Sequence, residues 1–493
     1  MAEKEALLVQ KAYEEIEKNK VLVENDPYRL NYHLMPPVGL LNDPNGLVQY
    51  KGSYHVFYQW NPFETAHGAK FWGHYSSRDM VHWREEPIAL APSEWYERNG
   101  CYSGSAVEWE GKLYLFYTGN VKLDDGTRET YQCVAVSGDG VHFEKKGPVL
   151  KLPEGYTAHF RDPKVWWKDG RWYMVIGAQT LNGKGATVLF SSDNLLSWTE
   201  TGLIAGDGMN GLSDFGYMWE CPDLIRLSGK DVLLVSPQGL DPSGHFYNNL
   251  FQSGYFVGQL DYETAQFMHG TFTELDRGFD FYAPQTFVDD KGRTILYGWM
   301  GITDENEPHQ PTLANRWVHA LTIPRELNLR GEKVYQRPID ELSMLRKNRI
   351  EYKDAELAGP ATEFNGVKGK SVELLLDTMR VEFGGFRIRF RGEAELFYDS
   401  DKREISLIRK NFKSGEPERR TCEISGLSQL RIYMDNSSLE VFVNEGEEVF
   451  SARYFPKPEN ETIIFYGMGN FSLAKWDLEK MSIERYNFQR GAL

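Results

Sequence analysis

Between Glu3 and Asn19 the apolar positions Ala6, Leu7, Val9, Ala12, Tyr13 and Ile16 recur among charges at a helical period, which predicts a surface helix resting one face on the main body. After Asp26-Pro27 the pattern changes to short runs of Tyr, Phe, Trp and Val broken by Gly, Asp and Asn, the texture of strands. The runs repeat. A glycine turn leading into an aromatic strand starts at Gly52, Gly111, Gly170, Gly229 and Gly292, at spacings of 59, 59, 59 and 63 residues. A unit of this length suits a four-stranded sheet repeated about an axis, and five copies predict a five-bladed β-propeller over residues 30–335. A second marker, Ser77 to Trp83, Ser137 to Phe143 and Ser192 to Trp198, reads as an outer-strand turn over a buried aromatic.

From Glu341 to Asn348 a short charged stretch predicts a connector, within a linker spanning 336–355. Beyond it the strands 371–375, 385–390, 405–408, 430–434, 439–443 and 462–466 alternate apolar and polar without the 59-residue period, and Asp435-Asn436-Ser437-Ser438 reads as a hairpin connection. The expected fold class is all-β: a helical extension over 1–29, a five-bladed propeller, and a C-terminal antiparallel β-sandwich over 356–493.

Composition narrows the function classes. The chain has 493 residues, 41% hydrophobic and 26% charged, with a net charge of −16. That balance opposes nucleic-acid or anionic-membrane partners, which need a basic footprint, while leaving room for an anionic small molecule at local cations. Cys101, Cys133, Cys221 and Cys422 form no close pair of the zinc or redox type, and read as reduced thiols. His67, His74 and His82 fit no metal-ligand spacing, so no metal is expected. Met1 to Lys20 lacks the apolar core of an export signal, and the expected location is cytoplasmic.

The candidate chemistry lies where the repeat meets carboxylates. Asn42-Asp43-Pro44-Asn45-Gly46 is strong turn chemistry that aims Asp43 in one direction. Asp43 lies nine residues before its repeat glycine, Asp162 eight and Glu220 nine, so three acids should converge at one mouth of the propeller, with Tyr102, Ser103, Tyr282 and Ala283 at the matching offset in the other copies. Arg161 is placed to hold Asp162 ionised. The run Tyr217-Met218-Trp219 would desolvate Glu220. An acid in apolar surroundings beside an ionised carboxylate is the arrangement that glycosidic bond cleavage requires.

The ordered motifs Asn42-Asp43-Pro44-Asn45-Gly46, Phe57-Tyr58-Gln59-Trp60-Asn61-Pro62, Trp72-Gly73-His74, Tyr102-Ser103-Gly104-Ser105, Arg161-Asp162-Pro163 and Glu220-Cys221-Pro222 resemble glycoside hydrolase family 32, the β-fructofuranosidases, nearly end to end. The resemblance is strongest to the bacterial branch that cleaves sucrose-6-phosphate. It implies a propeller with a β-sandwich and a retaining reaction through a fructosyl-enzyme intermediate. Asp43 would be the nucleophile, Glu220 the general acid/base and Asp162 the transition-state stabiliser. Asn42, Gln59, Ser103 and Arg161 would bind fructose hydroxyls, Tyr102 would join them as a substrate-binding residue, and Trp72 and Trp299 would stack on sugar faces. No cofactor is implied, and the only partner is a small sugar: sucrose-6-phosphate first, unphosphorylated sucrose or short fructans second. A non-catalytic sugar-binding propeller is a remote alternative that the presence of Asp43 and Glu220 opposes. For the phosphate, Arg98, His159, Lys164 and Arg316 are the cations near channel motifs in sequence.

Overall fold

The computed structural model describes residues 2–488. Met1 and residues 489–493, the ends of the expected helical extension and sandwich, lie outside the described residues. The N-terminal helix runs Ala2–Glu24, longer than its apolar stretch, and buries Ala12 and Tyr13. The Tyr13 hydroxyl accepts the Ile88 N–H at 3.2 Å, and its ring stacks on Phe488. Among the described residues no helix is long and apolar enough to cross a membrane.

The body is a propeller. Four sheets are uninterrupted meanders of four strands: Gly39–Tyr50 through Trp83–Glu85, Cys101–Trp109 through Glu144–Lys151, Tyr156–Lys168 through Thr199–Gly206, and Met218–Leu227 through Gln266–His269. Their first hairpins close on Lys51-Gly52, Glu110-Gly111, Asp169-Gly170 and Ser228-Gly229, both residues of each pair having positive φ, as a two-residue turn matched to strand twist demands. These are the copies spaced by 59 residues.

The expectation of five like blades is corrected here: four are regular. The sheet holding the copy at spacing 63 is irregular. Its first hairpin, Tyr282–Val288 to Thr294–Met300, closes with a longer loop in which Asp289 Oδ1 accepts the N–H groups of Lys291 and Arg293. Its third strand, Arg325–Arg330, arrives only after an excursion of about residues 301–324, and pairs with the second through two residue pairs. Trp317–Val318, within that excursion, adds in parallel to Gly39–Tyr50 of the first sheet. The outer-strand marker is structural, as expected: Ser77, Asp79 and their counterparts cap backbone N–H groups, and Trp83 and Trp198 donate to backbone carbonyls.

A short 3₁₀ turn, Asp340–Leu345, leads straight into strand Arg346–Thr362, which begins inside the stretch expected as linker. Nine strands then form one continuous sandwich-like sheet, in which Val372–Phe390 and Ile463–Leu478 pair along most of their length. Register breaks at Asp377/Arg380 and Val381/Phe386 bend that pair, the usual effect of inserted residues, and a core from Leu374 to Phe465 fills the fold between its layers. The 435–438 hairpin lies where expected and grips the propeller's entry: Asp435 Oδ2 accepts the N–H groups of Asn31 and Tyr32.

Candidate active site

All five first strands break register against their partners near one end, between Leu41 and Pro44, Tyr102 and Gly104, Arg161 and Lys164, Glu220 and Asp223, and Tyr282 and Gln285; the first and third strands break a second time, at Asn45/Val48 and at Tyr156/Phe160. In every sheet but the second the break carries a residue followed by proline: Asp43-Pro44, Asp162-Pro163, Cys221-Pro222 and Ala283-Pro284. Proline has no N–H to give the ladder, and a bulge re-aims its side chains. Asp162, Cys221 and Ala283 sit at φ of 69°, 47° and 48°. The second sheet uses Gly104, where a Cβ would stand 1.8 Å from the Phe116 carbonyl oxygen.

This register revises the sequence offset. Asp43 and Asp162 are equivalent, and the position matching them in the fourth sheet is Cys221. Glu220 stands one residue earlier, level with Asn42, Tyr102, Arg161 and Tyr282. All five of these residues line one cavity of about 300 Å³, together with Asp43, Asp162, Gln59 and Trp299.

Asp43 is held by donors. Ser103 Oγ donates to its Oδ2 at 2.5 Å, Gln59 Nε2 to the same oxygen at 3.4 Å, and Asn42 Nδ2 to Oδ1 at 3.1 Å. Burial nevertheless pushes its pKa above the ordinary value, with Glu220's charge adding to the rise and the Ser103 and Asn42 bonds opposing it. Asp162 is raised for the same leading reason; Arg161 opposes, while Glu220 and Asp43 reinforce. Its Oδ2 accepts the Cys221 N–H at 3.0 Å, and its own N–H donates to Thr118 Oγ1 at 3.0 Å.

Glu220 is surrounded differently from the expectation. Trp219 turns away to stack on Phe256 in the blade core, Met218 is buried and Tyr217 is exposed, so none forms an apolar sleeve around the carboxylate. Instead Arg161 Nε and Nη2 donate to Oε1 at 2.9 and 2.6 Å, and Tyr282 Oη and Gln238 Nε2 donate to Oε2 at 2.7 and 2.8 Å. The Arg161 guanidinium, expected to serve Asp162, therefore makes its hydrogen bonds to Glu220 and reaches Asp162 through charge alone.

Trp72 and Ser103 lie outside the cavity lining. Trp72 is fully buried against Phe57 and Tyr117, and its Nε1 donates to the Tyr102 carbonyl at 3.1 Å, so it braces Tyr102 instead of offering a face to a sugar. Ser103 sits beneath Asp43. Trp299 does line the cavity, and its buried Nε1, like the buried Asn42 Oδ1, has no hydrogen-bond partner among the described residues.

The sequence missed Lys70 and Gln238 as site residues and gave Tyr282 only a place at the mouth, with no role. Tyr282 was legible at the repeat offset; Gln238, at the end of a second strand, and Lys70 carried no signal. Lys70 is buried, which lowers its pKa to about 7 against the pull of Asp43 and Glu307. None of the cations read as phosphate candidates lines the cavity. Arg98 donates to the Lys122 carbonyl, Lys164 bonds Asp223 at 3.0 Å, Arg316 donates to the Phe63 carbonyl, and His159 contacts Arg161 at 3.1 Å.

Residues 33–338 match the N-terminal domain of glycosyl hydrolases family 32, and residues 341–483 its C-terminal domain. A sucrose-6-phosphate hydrolase of Bacillus subtilis is 54% identical over 96% of this chain and 98% of its own, and one of Klebsiella pneumoniae is 45% identical over 93% and 95%. Among solved structures, a sucrose-6-phosphate hydrolase from Lactobacillus gasseri superposes with a TM-score of 0.85 at 30% identity, covering 95% of this chain and 97% of that one. A Bombyx mori GH32 beta-fructofuranosidase mutant in complex with sucrose gives 0.83 at 35% identity, covering 96% and 98%. The chain belongs to glycosyl hydrolase family 32 and is a glycoside hydrolase.

Proposed function

We propose that this enzyme is a retaining β-fructofuranosidase that hydrolyses sucrose-6-phosphate to glucose-6-phosphate and fructose. The observation that carries the reading is the pair of differently held carboxylates in one cavity. Asp43 is fixed by Ser103, Asn42 and Gln59, as an attacking group must be; Glu220 is presented by Tyr282, Gln238 and Arg161 on the first strand of the fourth sheet. In the first half-reaction an Asp43 oxygen attacks the anomeric carbon of the fructosyl unit while Glu220 gives its proton to the departing glucosyl oxygen. In the second, Glu220 takes a proton from water, the hydroxide attacks the same carbon, and Asp43 is released as a carboxylate. Asp162, with Oδ2 engaged by Cys221, keeps Oδ1 for fructose hydroxyls; Asn42, Gln59, Tyr102 and Arg161 supply further hydrogen bonds, and Trp299 a ring face. Ser103 acts through Asp43, and Trp72 through Tyr102. No cofactor takes part.

The phosphorylated substrate is supported by the likeness to the Bacillus and Klebsiella enzymes, and a sugar phosphorylated on uptake places the reaction in the cytoplasm. Unphosphorylated sucrose is the second reading, favoured by the Bombyx complex. We assign the irregular sheet as a fifth blade closing the ring, since Tyr282–Val288 packs against both Met218–Leu227 and Gly39–Tyr50. A catalytic domain over about residues 30–335 and a sandwich after the short connector follow from that assignment.

The test is kcat/KM on sucrose-6-phosphate and sucrose side by side, with Asp43→Ala and Glu220→Ala. Each variant should fold and lose roughly 10³-fold or more in kcat. With an activated aryl fructoside, whose leaving group needs little protonation, Glu220→Ala should recover much of its loss in the fructosylation step and Asp43→Ala none. Equal losses of the two variants on both substrates would refute the role given to Glu220.

A further inference from the structure

The hairpin of the second blade ends on a pairing that makes no sense for stability alone. Lys122, the last residue of strand Lys112–Lys122, stands directly opposite Arg128, the first of Arg128–Ser137. Like charges facing each other across an antiparallel pair destabilise it. The three carboxylates of the same hairpin form no salt bridge with them: Asp125 is engaged by Thr127, Glu129 accepts from the Tyr131 hydroxyl, and Asp124 is exposed at the turn. Neither cation forms an ion pair with a described residue, in a chain whose net charge is −16. Both are exposed, and both line the rim of the catalytic cavity.

Their place on that rim is on the side of the leaving group. Glu220 must reach the glycosidic oxygen, so the glucosyl unit departs past Glu220 and the residues beside it. Arg128, Tyr102, Arg161 and Glu220 line the same cavity, and the charges of Arg128 and Glu220 both act on Tyr102 and His159, so the guanidinium lies near the His159–Arg161 pair. His159 in turn contacts Arg161, the Glu220 partner. A dianion cannot sit deeper, where Asp43, Asp162 and Glu220 concentrate negative charge. At the rim, two unpaired cations held side by side by the ladder present a bidentate fork and a point charge, the donor set that phosphate selects.

We propose that Lys122 and Arg128 form the subsite for the 6-phosphate of the glucosyl leaving group. The inference rests on the phosphorylated-substrate reading above and supplies the cations that reading lacks. Occupied by phosphate, the like-charged pair becomes two charge-assisted contacts; empty, it is a local strain the fold tolerates for the sake of selectivity.

The experiment measures the ratio of kcat/KM for sucrose-6-phosphate to that for sucrose in the full-length enzyme and in Lys122→Ala, Arg128→Ala and the double variant, with Tm recorded for each. In the wild-type enzyme the ratio should exceed one. Each single substitution should lower it about tenfold, chiefly through KM for the phosphorylated sugar, and the double variant by roughly a hundredfold. Tm should hold or rise, because removing one of two facing cations relieves repulsion, whereas a purely structural role would lower it. A wild-type preference that survives in the double variant would overturn the subsite and leave the substrate reading standing. A wild-type ratio of one or below would overturn the substrate reading and the subsite with it.

Discussion

Asp43 illustrates what a catalytic carboxylate costs the fold. Burial raises its pKa, and Ser103 and Asn42 return only part of that penalty. A carboxyl whose folded pKa lies above its unfolded value makes the native state bind the proton more tightly. Its contribution to stability is therefore most favourable below the ordinary carboxylate value of about 4 and is lost as pH rises through the folded value. Asp43→Asn keeps an acceptor for Ser103 while removing the charge. It should raise Tm at pH 7, with the gain shrinking toward pH 4, while abolishing turnover; calorimetry at both pH values measures this, and a lower Tm at pH 7 would contradict it. Asp162 is raised as well, so the acid limb of the kcat/KM profile should fall above the ordinary carboxylate range.

At the scale of the element, the first strands work because each is interrupted at the same height. A strand alternates its side chains between faces, and a bulge lets neighbours such as Arg161 and Asp162, or Asn42 and Asp43, both reach the cavity. Stitching between first strands fixes their relative height: Ser105 Oγ donates to the Pro163 carbonyl, and Asp223 accepts from Lys164 and from Thr286. The second blade depends on Gly104 for its interruption. Gly104→Ala would drive a Cβ into the Phe116 carbonyl and displace Ser103 from Asp43. The expected outcome is a loss of about 1–3 kcal/mol in urea unfolding together with a fall in kcat larger than any change in KM. Unchanged kcat in a destabilised enzyme would show that Ser103 does not position the nucleophile.

Across the whole molecule, the sandwich is fastened to the propeller by buried charge. Arg325, fully buried on the irregular sheet, bonds Asp276 at 3.0 Å, and Glu440 and Ser451 of the sandwich at 2.6 Å each. His33 bridges Asp435 and Glu440 from the propeller's entry. Arg325→Ala would strand Asp276 without a cation in the interior and leave Glu440 with His33 alone, at a cost of about 3–5 kcal/mol. The melt should shift down strongly or split into two transitions, and a loss below about 1 kcal/mol would mean the interface rests on its apolar contacts instead.

The sequence by itself determined the repeat, the β texture, the candidate acids and the family resemblance, because those are written in local signals: Gly turns at a fixed period, aromatic strands, Asp-Pro pairs. The change of spacing from 59 to 63 residues was also visible, and it marks the one sheet that departs from the regular blades. Only the tertiary structure decided which neighbours each acid has. Arg161 bonds Glu220 and not its sequence neighbour Asp162, because the bulge turns its guanidinium into the cavity, where the carboxylate of the next sheet comes within reach. Trp72 is a buried brace, and Trp219 faces the blade core, because strand alternation and register, not residue type, choose the face. Gln238, Lys70 and the Lys122–Arg128 rim enter the site from strand ends and loops with no motif of their own. Their meaning arises from the convergence of separate sheets on one cavity, which no window of the chain contains.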